Sequence, residues 1–144
     1  MNNHGALSLV QANRIVSEAL FAARRAGMPP VAVVVMDASG HPVSLQREDG
    51  ASMLRVDIAS GKAWAAVGMG VSSRVLHGRA QGNPAFFNAL SANSNGKFIP
   101  QTGAVVIKGP DGEVVGAVGA SGGSGEEDEA ICIAGVTAIG MAAA

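Results

Sequence analysis

The sequence of 144 residues contains no tyrosine, one tryptophan, four phenylalanines and a single cysteine, Cys132. One cysteine excludes an internal disulfide and is typical of a reducing environment. The longest unbroken apolar stretch, Val31 to Met36, is far too short to cross a bilayer. The N-terminus also lacks the basic and apolar regions of a secretion signal. We therefore predict a cytoplasmic protein without a membrane segment.

An excess of charge of either sign is also missing. Ten basic and eleven acidic residues leave a net charge of −1, and no basic run is present. Such a surface does not attract nucleic acid or an anionic membrane, so neither is expected as a partner. Hydrophobic residues make up 48% of the chain, which is sufficient for one packed domain over residues 1–144. Because these residues are mostly small, we expect contacts within a homo-oligomer to add buried surface.

Apolar periodicity, turns and helix caps predict the order of the elements. Helices are predicted at about 8–26, 52–67, 71–80, 84–92 and 124–141, and strands at 31–36, 43–48, 97–99, 104–108 and 114–120. The turns at 37–40 and 109–112 are short, which requires antiparallel pairing within each hairpin. The resulting order, α-ββ-α-α-α-βββ-α, indicates an α+β fold with one antiparallel sheet.

Two charged features stand out in this pattern. Arg47 shares a predicted strand face with Val43 and Leu45, and an arginine on an apolar face needs a carboxylate partner or an open strand end. The second feature is the glycine-rich segment 119–125, which the acidic run 126–129 follows directly. Free backbone N–H groups suit an anion, but four carboxylates would repel a phosphate, and no nucleotide-binding pattern is present.

The acidic run has two alternative interpretations. Its members either cap the last helix and complement its dipole, or Glu127 or Asp128 turns inward to pair with Arg47 or Lys62. The second arrangement would form a charged corner that orients a small polar ligand. In a catalytic version, Glu127 or Asp128 is the acid/base, and the cationic side chain binds the carboxylate of the substrate.

Several segments, taken in order, resemble the GlcG/HbpS-like family. They are distributed over roughly 7–138 and comprise 31–40 (VAVVVMDASG), 47–51 (REDGA), 57–63 (DIASGKA), 116–123 (GAVGASGG) and 127–129 (EDE). The resemblance implies a profilin-like α+β fold, a five-stranded antiparallel sheet flanked by helices, and homo-oligomers from dimers to octamers. It relates the chain to haem-binding proteins, to proteins of catabolic operons and to the C-terminal domain of some corrinoid adenosyltransferases. The positions that it marks are Arg47, Asp49, Lys62, Gly122, Gly123 and Asp128.

Histidine is the remaining residue type with ligand chemistry. No pair among His4, His41 and His77 has metal-ligand spacing, so no tightly built metal site is expected. Haem is the cofactor that the family implies. His77, in a short helix beside the break at 81–83, is the best-placed axial ligand for its iron. The scarcity of aromatic residues favours haem held at a surface or between subunits. Cys132, in an alanine-rich helix, is expected to be a small core residue.

Three functions remain open from the sequence. The first is a cytoplasmic oligomer that binds haem or another small ligand and has an accessory role in catabolism. The second is a cofactor-independent isomerase, tautomerase or lyase acting on a small polar carboxylate. The third is a structural oligomerisation module that binds no ligand. A shared fold does not select among these functions, so the choice depends on the geometry of the site.

Overall fold

Five antiparallel strands form the sheet around which the rest of the chain packs. The computed structural model describes residues 6–144, so His4 lies outside the described residues. The strands are β1 (Ala32–Asp37), β2 (Pro42–Arg47), β3 (Ala104–Lys108), β4 (Val114–Ser121) and β5 (Ala142–Ala143). Their order across the sheet is β2-β1-β4-β3-β5, and every pair of neighbours is antiparallel. The predicted five-stranded sheet is therefore confirmed.

Five helices complete the α+β fold. They are α1 (Leu9–Arg25), α2 (Leu54–Met69), α3 (Ser73–Gly82), α4 (Pro84–Asn93) and α5 (Gly125–Ala138). The main core lies between one face of the sheet and helices α1 and α5, and a second core lies between the other face and α2. Helices α3 and α4 form an outer layer on α2. Among the helices of residues 6–144, none is long and apolar enough to cross a membrane.

The beginnings of three helices follow from local sequence signals. The hydroxyl groups of Ser8 and Ser124 each accept from the backbone N–H three residues later. The side chains of Gln11 and Glu127 in turn accept from the serine N–H groups, which completes the two predicted capping boxes. Pro84 occupies the first turn of α4, where its missing N–H costs no helical hydrogen bond.

The fifth strand does not come from the segment that the sequence predicts. Residues 97–99 form no strand, because the ring of Phe98 packs beside those of Trp64 and Phe87. The N–H of Ile99 donates to the carbonyl of Gly61 in α2 rather than to a sheet neighbour. The edge beside β3 is taken by β5, which lies just beyond the predicted end of the last helix and was not predicted as a strand. A two-residue strand is too short to show alternation, so periodicity does not predict it.

The face that Val43 and Arg47 were predicted to share also differs from the prediction. A β-bulge near the start of β2 makes Val43 an extra residue between two pairs of the ladder. Val43 therefore packs on the α1 side of the sheet, whereas Leu45 and Arg47 pair with Val34 and Ala32 on the α2 side. Arg47 is exposed at the end of the edge strand. Of the two placements that the sequence allowed, a carboxylate partner or an open strand end, Arg47 has the second.

Candidate functional site

A cleft of about 320 Å³ opens where α2, α3, the loop before β3 and the start of α5 meet. We call it the ion-pair cleft. Four of the residues that the sequence analysis names line it: Lys62, His77, Gly123 and Asp128. The remaining lining residues were not predicted: Arg55, Ile58, Gln101, Thr102, Ser121, Gly125 and Glu126. The fold thus brings together at one end of the sheet residues that are up to 73 positions apart in the chain, from Arg55 to Asp128.

A buried ion pair gives the cleft its name. The Lys62 ammonium donates to Asp128 Oδ2 at 3.2 Å and to the carbonyl oxygen of Ala120 at 3.0 Å. Asp128 Oδ1 accepts from the N–H of Gly123 at 2.9 Å, so both carboxylate oxygens have partners. The side chains of Lys62 and Asp128 are only 7% and 2% exposed. Because water barely reaches either charge, each one depends on the other for compensation.

Two glycines permit this arrangement. A Cβ atom at Gly119 would collide with the carbonyl oxygen of Ala59, so α2 lies directly against β4 only because residue 119 has no side chain. Gly103 has a φ of +137°, and a Cβ atom there would lie 2.6 Å from Lys62 Nζ. A larger residue at either position would displace the helix or the ammonium group.

Each of the two interpretations of the acidic run holds for a different residue of the run. Glu127 is exposed and caps α5, where its side chain accepts from the Ser124 N–H at 2.9 Å. Asp128 turns inward and pairs with Lys62, as the second interpretation describes. Neither carboxylate pairs with Arg47. Capping and ion pairing are therefore performed by two neighbouring residues of the same run.

Arg47 and Asp49 lie outside the ion-pair cleft. They line a separate cleft of about 420 Å³ beside α1, at the end of β2. The guanidinium group of Arg47 donates to the carbonyl oxygen of Ala51 at 2.7 Å, which holds the loop after β2. In the same region, Arg24 and Glu48 form an ion pair at 2.9 Å. The structure does not bring Arg47 and Asp49 together with the other predicted site residues.

Gly122 and Gly123 form the turn between β4 and α5. A Cβ atom at Gly122 would lie 2.5 Å from the carbonyl oxygen of Pro30, and one at Gly123 would lie 2.8 Å from the terminal methyl of Met28. Gly123 lines the cleft and donates to Asp128, whereas Gly122 does not line it. Packing thus accounts for both glycines, and the Gly123 N–H also orients the Asp128 carboxylate.

His77 stands between the ion-pair cleft and an adjoining cleft of about 270 Å³. The imidazole is partly buried, and its Nδ1 lies 3.4 Å from Thr102 Oγ1. A hydrogen bond at Nδ1 would leave Nε2 as the nitrogen that can coordinate a metal. The adjoining cleft includes several apolar residues: Ala80, Pro84, Phe87 and Pro100. His77 therefore separates a partly apolar surface from a charged one.

Arg55 is a lining residue that the sequence analysis missed. It lies in the first turn of α2, two turns before Lys62 on the same side of the helix, and donates to Ser121 Oγ at 3.2 Å. The spacing of seven residues between Arg55 and Lys62 was a usable signal, since such residues lie on one helix face. Gln101 and Thr102 offered no comparable signal, because they lie in the irregular segment before β3.

An ion pair outside the cleft joins α3 to α5. The Arg74 guanidinium approaches both carboxylate oxygens of Glu129, with Nε–O distances of 3.1 Å. The hydrogen bond to Glu129 raises the pKa of Arg74 above its ordinary value. This pair joins the helix that carries His77 to the helix that carries Asp128.

Neither a reactive thiol nor a metal cluster was found in the described part of the chain. Cys132 is fully buried in α5. Burial, and secondarily the charge of Asp128, raise the pKa of its thiol, which disfavours the reactive thiolate. The prediction of a small core residue is confirmed. Within residues 6–144, no group of three or more His, Cys, Asp or Glu side chains is placed to hold a metal ion.

Comparison with known proteins identifies the family. The family model described as haem degrading protein HbpS-like matches residues 7–137, and the chain belongs to this family. The chain is also 31% identical over 112 residues to the corrinoid adenosyltransferase PduO of Salmonella typhimurium, which covers 78% of this chain and 33% of that protein. It thus spans about a third of the length of the curated relatives it matches.

Solved structures agree with this assignment. A crystal structure described as a PduOC:heme complex superposes with a TM-score of 0.84 at 29% identity, covering 94% of this chain and 96% of that one. A double mutant of HbpS from Streptomyces reticuli gives a TM-score of 0.81 at 26% identity, covering 97% and 91% of the two chains. The resemblance found in the sequence is therefore confirmed, together with the α+β fold that it implies.

Proposed function

We propose that this protein binds haem beside the ion-pair cleft, with His77 as the axial ligand of the iron. The observation that carries the proposal is the position of His77, a partly buried imidazole on the wall shared by two clefts, with Nδ1 directed at Thr102. Membership of the HbpS-like family and similarity to the PduOC:heme complex support the same ligand.

The residues around His77 fit the chemistry of haem, which combines an apolar ring with two carboxylates. On one side, Pro84 and Phe87 offer apolar surface. On the other, Arg55 donates to Ser121 through one guanidinium nitrogen, and further donors remain for a carboxylate of the ligand. Bound haem would supply an iron centre. The chain itself would supply the axial ligand, the charge that orients the carboxylates, and partial exclusion of water.

The size of the clefts supports haem held at the surface or between subunits. The ion-pair cleft, at about 320 Å³, is near the lower limit of roughly 300–1,000 Å³ for small-molecule sites. A single protomer would therefore leave much of a haem exposed. We accordingly include a homo-oligomer, of two to eight copies as in the family resemblance, in the proposal. A cytoplasmic location and an accessory role in catabolism are further parts of it.

Proton-transfer catalysis without a cofactor is the second candidate, and the hydrogen bonds favour it less. Both carboxylate oxygens of Asp128 accept from Lys62 and Gly123, and Glu127 accepts from the Ser124 N–H. An acid/base needs a carboxylate within reach of the substrate proton. Here these carboxylates already accept hydrogen bonds from other groups of the chain. Those hydrogen bonds are better explained as stabilising the turn before α5 than as preparing an acid/base.

Titration with haemin, followed by visible absorption, tests the proposal. Wild type should give a sharp Soret change that saturates near about one haem per chain, and His77→Ala should lose it because the axial ligand is gone. His41→Ala is the matched control, since the His41 side chain is 78% exposed and lines neither cleft beside His77. Arg55→Ala should weaken binding about tenfold while leaving the Soret position unchanged.

Two results would contradict the proposal. Identical titrations for wild type and His77→Ala would exclude His77 as the ligand. If wild type gave no saturable change, haem binding would be rejected. Screening of small hydroxy- and oxo-acids against wild type and Arg55→Ala would then separate the enzyme from a structural oligomerisation module.

A further inference from the structure

A fourth and larger cleft lies apart from the proposed haem site. Its volume is about 600 Å³, and it shares no lining residue with the ion-pair cleft. We call it the Trp64 cleft. It is formed by α2, the turn between β1 and β2, and the segment after α4. Asp57, Ser60 and Trp64 line it from successive turns of one side of α2.

The indole of Trp64 presents an open hydrogen-bond donor to this cleft. No residue in the described range 6–144 accepts from its Nε1, and no fully buried side-chain N or O atom in that range lacks a partner, so the indole N–H is not fully buried. A Cβ atom at Gly40 would lie 3.1 Å from both Cδ1 and Nε1 of the indole. A side chain at residue 40, where φ is +81°, would therefore crowd this edge of the ring.

Two opposite charges flank the same cleft without neutralising each other. Asp57 and Lys97 both line it, and neither takes part in an ion pair within the part of the chain that the structure describes. The segment that carries Lys97 is fixed on α2, because Ile99 packs where a side chain at Gly61 would be, and its N–H donates to the Gly61 carbonyl at 3.2 Å. Both charges are thus available to a ligand.

We propose that the Trp64 cleft binds a small aromatic zwitterion of the α-amino acid class. The ring of the ligand would pack against the indole of Trp64, whose N–H would donate to the ligand carboxylate. Lys97 would pair with that carboxylate and Asp57 with the ammonium group. A ligand with one charge would leave one of these two side chains without a partner. The volume of the cleft lies within the usual range for small-molecule sites, roughly 300–1,000 Å³.

The composition of the chain gives this proposal a direct experiment. Trp64 is the only tryptophan and the chain has no tyrosine, so tryptophan emission comes from a residue that lines this cleft. L-Phenylalanine, which does not absorb at the red edge of the tryptophan band, is the first probe. Phenylacetate lacks the ammonium group and phenethylamine lacks the carboxylate. We expect a saturable emission change with L-phenylalanine and about tenfold weaker binding of each analogue.

Two variants test which side chain pairs with which charged group of the ligand. Asp57→Asn should remove the preference for L-phenylalanine over phenylacetate, and Lys97→Ala should remove the preference over phenethylamine. Both side chains are exposed, so neither change threatens the fold. Asp111→Asn and Lys108→Ala, outside the cleft, are the matched controls and should respond like wild type. His77→Ala should also respond like wild type, whether or not haem binds. No saturable change, or equal affinity for all three compounds, would overturn the proposal.

Discussion

At the scale of single residues, the pair of Lys62 and Asp128 shows how burial determines the effect of a charged side chain on stability. Pairs that water reaches, such as Arg74, half exposed, with Glu129, contribute less, because water screens them and the side chains lose rotational freedom. A pair that is almost fully buried does not necessarily stabilise the fold relative to an apolar pair of equal volume. Losing one partner alone is costly, however, because an uncompensated charge remains in the interior.

The high cost of leaving one buried charge without a partner predicts the stability of variants at residue 62. Lys62→Met should lower the free energy of unfolding by about 3–5 kcal/mol, because Asp128 loses its counter-charge. Urea unfolding followed by circular dichroism measures the change. Adding Asp128→Leu to Lys62→Met should recover part of the loss. Arg74→Met, at the partly exposed pair, is the control and should have a smaller effect than Lys62→Met. A Lys62→Met protein as stable as wild type would show that the pair is not buried as described.

The same scale shows which site residues a sequence can indicate. Asp128 and Lys62 were named because one interpretation of the acidic run paired them and because the family motifs mark both positions. The face that Val43 was predicted to share with Arg47 was wrong, because the bulge at Val43 depends on how two strands pair, which one strand's sequence does not reveal. Thr102 was missed because its contact with His77 exists only after α3 has packed against the loop before β3.

At the scale of elements, the position of α3 depends on few contacts. The Ser73 hydroxyl accepts from the Ala104 N–H at 2.8 Å, which ties the start of α3 to β3, and Leu76 enters the cluster beside α2. The pair of Arg74 and Glu129 adds the link to α5. His77 follows directly on this helix. Arg74 and Glu129 are therefore positioning residues for the proposed haem ligand and do not themselves line the ion-pair cleft.

This link predicts a change in haem affinity without a change of ligand. Glu129→Ala should raise the haemin dissociation constant by about three- to tenfold, because α3 and its imidazole become less restrained. The Soret position should stay as in wild type, since His77 remains the ligand. Arg74→Lys should retain part of the affinity, and Arg79→Ala, also on α3, should titrate like wild type. A shifted Soret band in Glu129→Ala would contradict a purely positioning role.

Elements differed in how well the sequence predicted them. The first four helices lie within two residues of their predicted ends, because apolar periodicity, proline and the Ser8 cap act locally. The segment 97–99 was wrongly predicted as a strand. Its phenylalanine and isoleucine favour strands, but an aromatic cluster and a glycine on α2 hold it against the helix. The strand that replaces it, β5, is fixed by pairing with β3 alone.

At the scale of the whole molecule, the exposed apolar residues bear on assembly. The core is built largely from alanine and valine, which bury little area per residue. Large apolar side chains remain exposed on the α2 side near the edge strand β2: Leu45 at 44%, Met53 at 75% and Leu54 at 54%. The outer edge of β2 is also unpaired within the described sheet. An unpaired edge beside apolar surface favours association with another copy of the chain.

The predicted homo-oligomer can be tested at this surface. Wild type should have a mass in solution that is a multiple of the 14.3 kDa chain, measured by size-exclusion chromatography with light scattering. Leu54→Glu should reduce that mass, because a charge would be buried against apolar surface. Val10→Glu, at a residue 70% exposed on α1, is the matched control and should leave the mass unchanged. If haem lies between subunits, Leu54→Glu should also weaken haemin binding. A wild-type mass of one chain at every concentration would exclude both the oligomer and a haem shared between subunits, leaving haem at the surface of a single protomer.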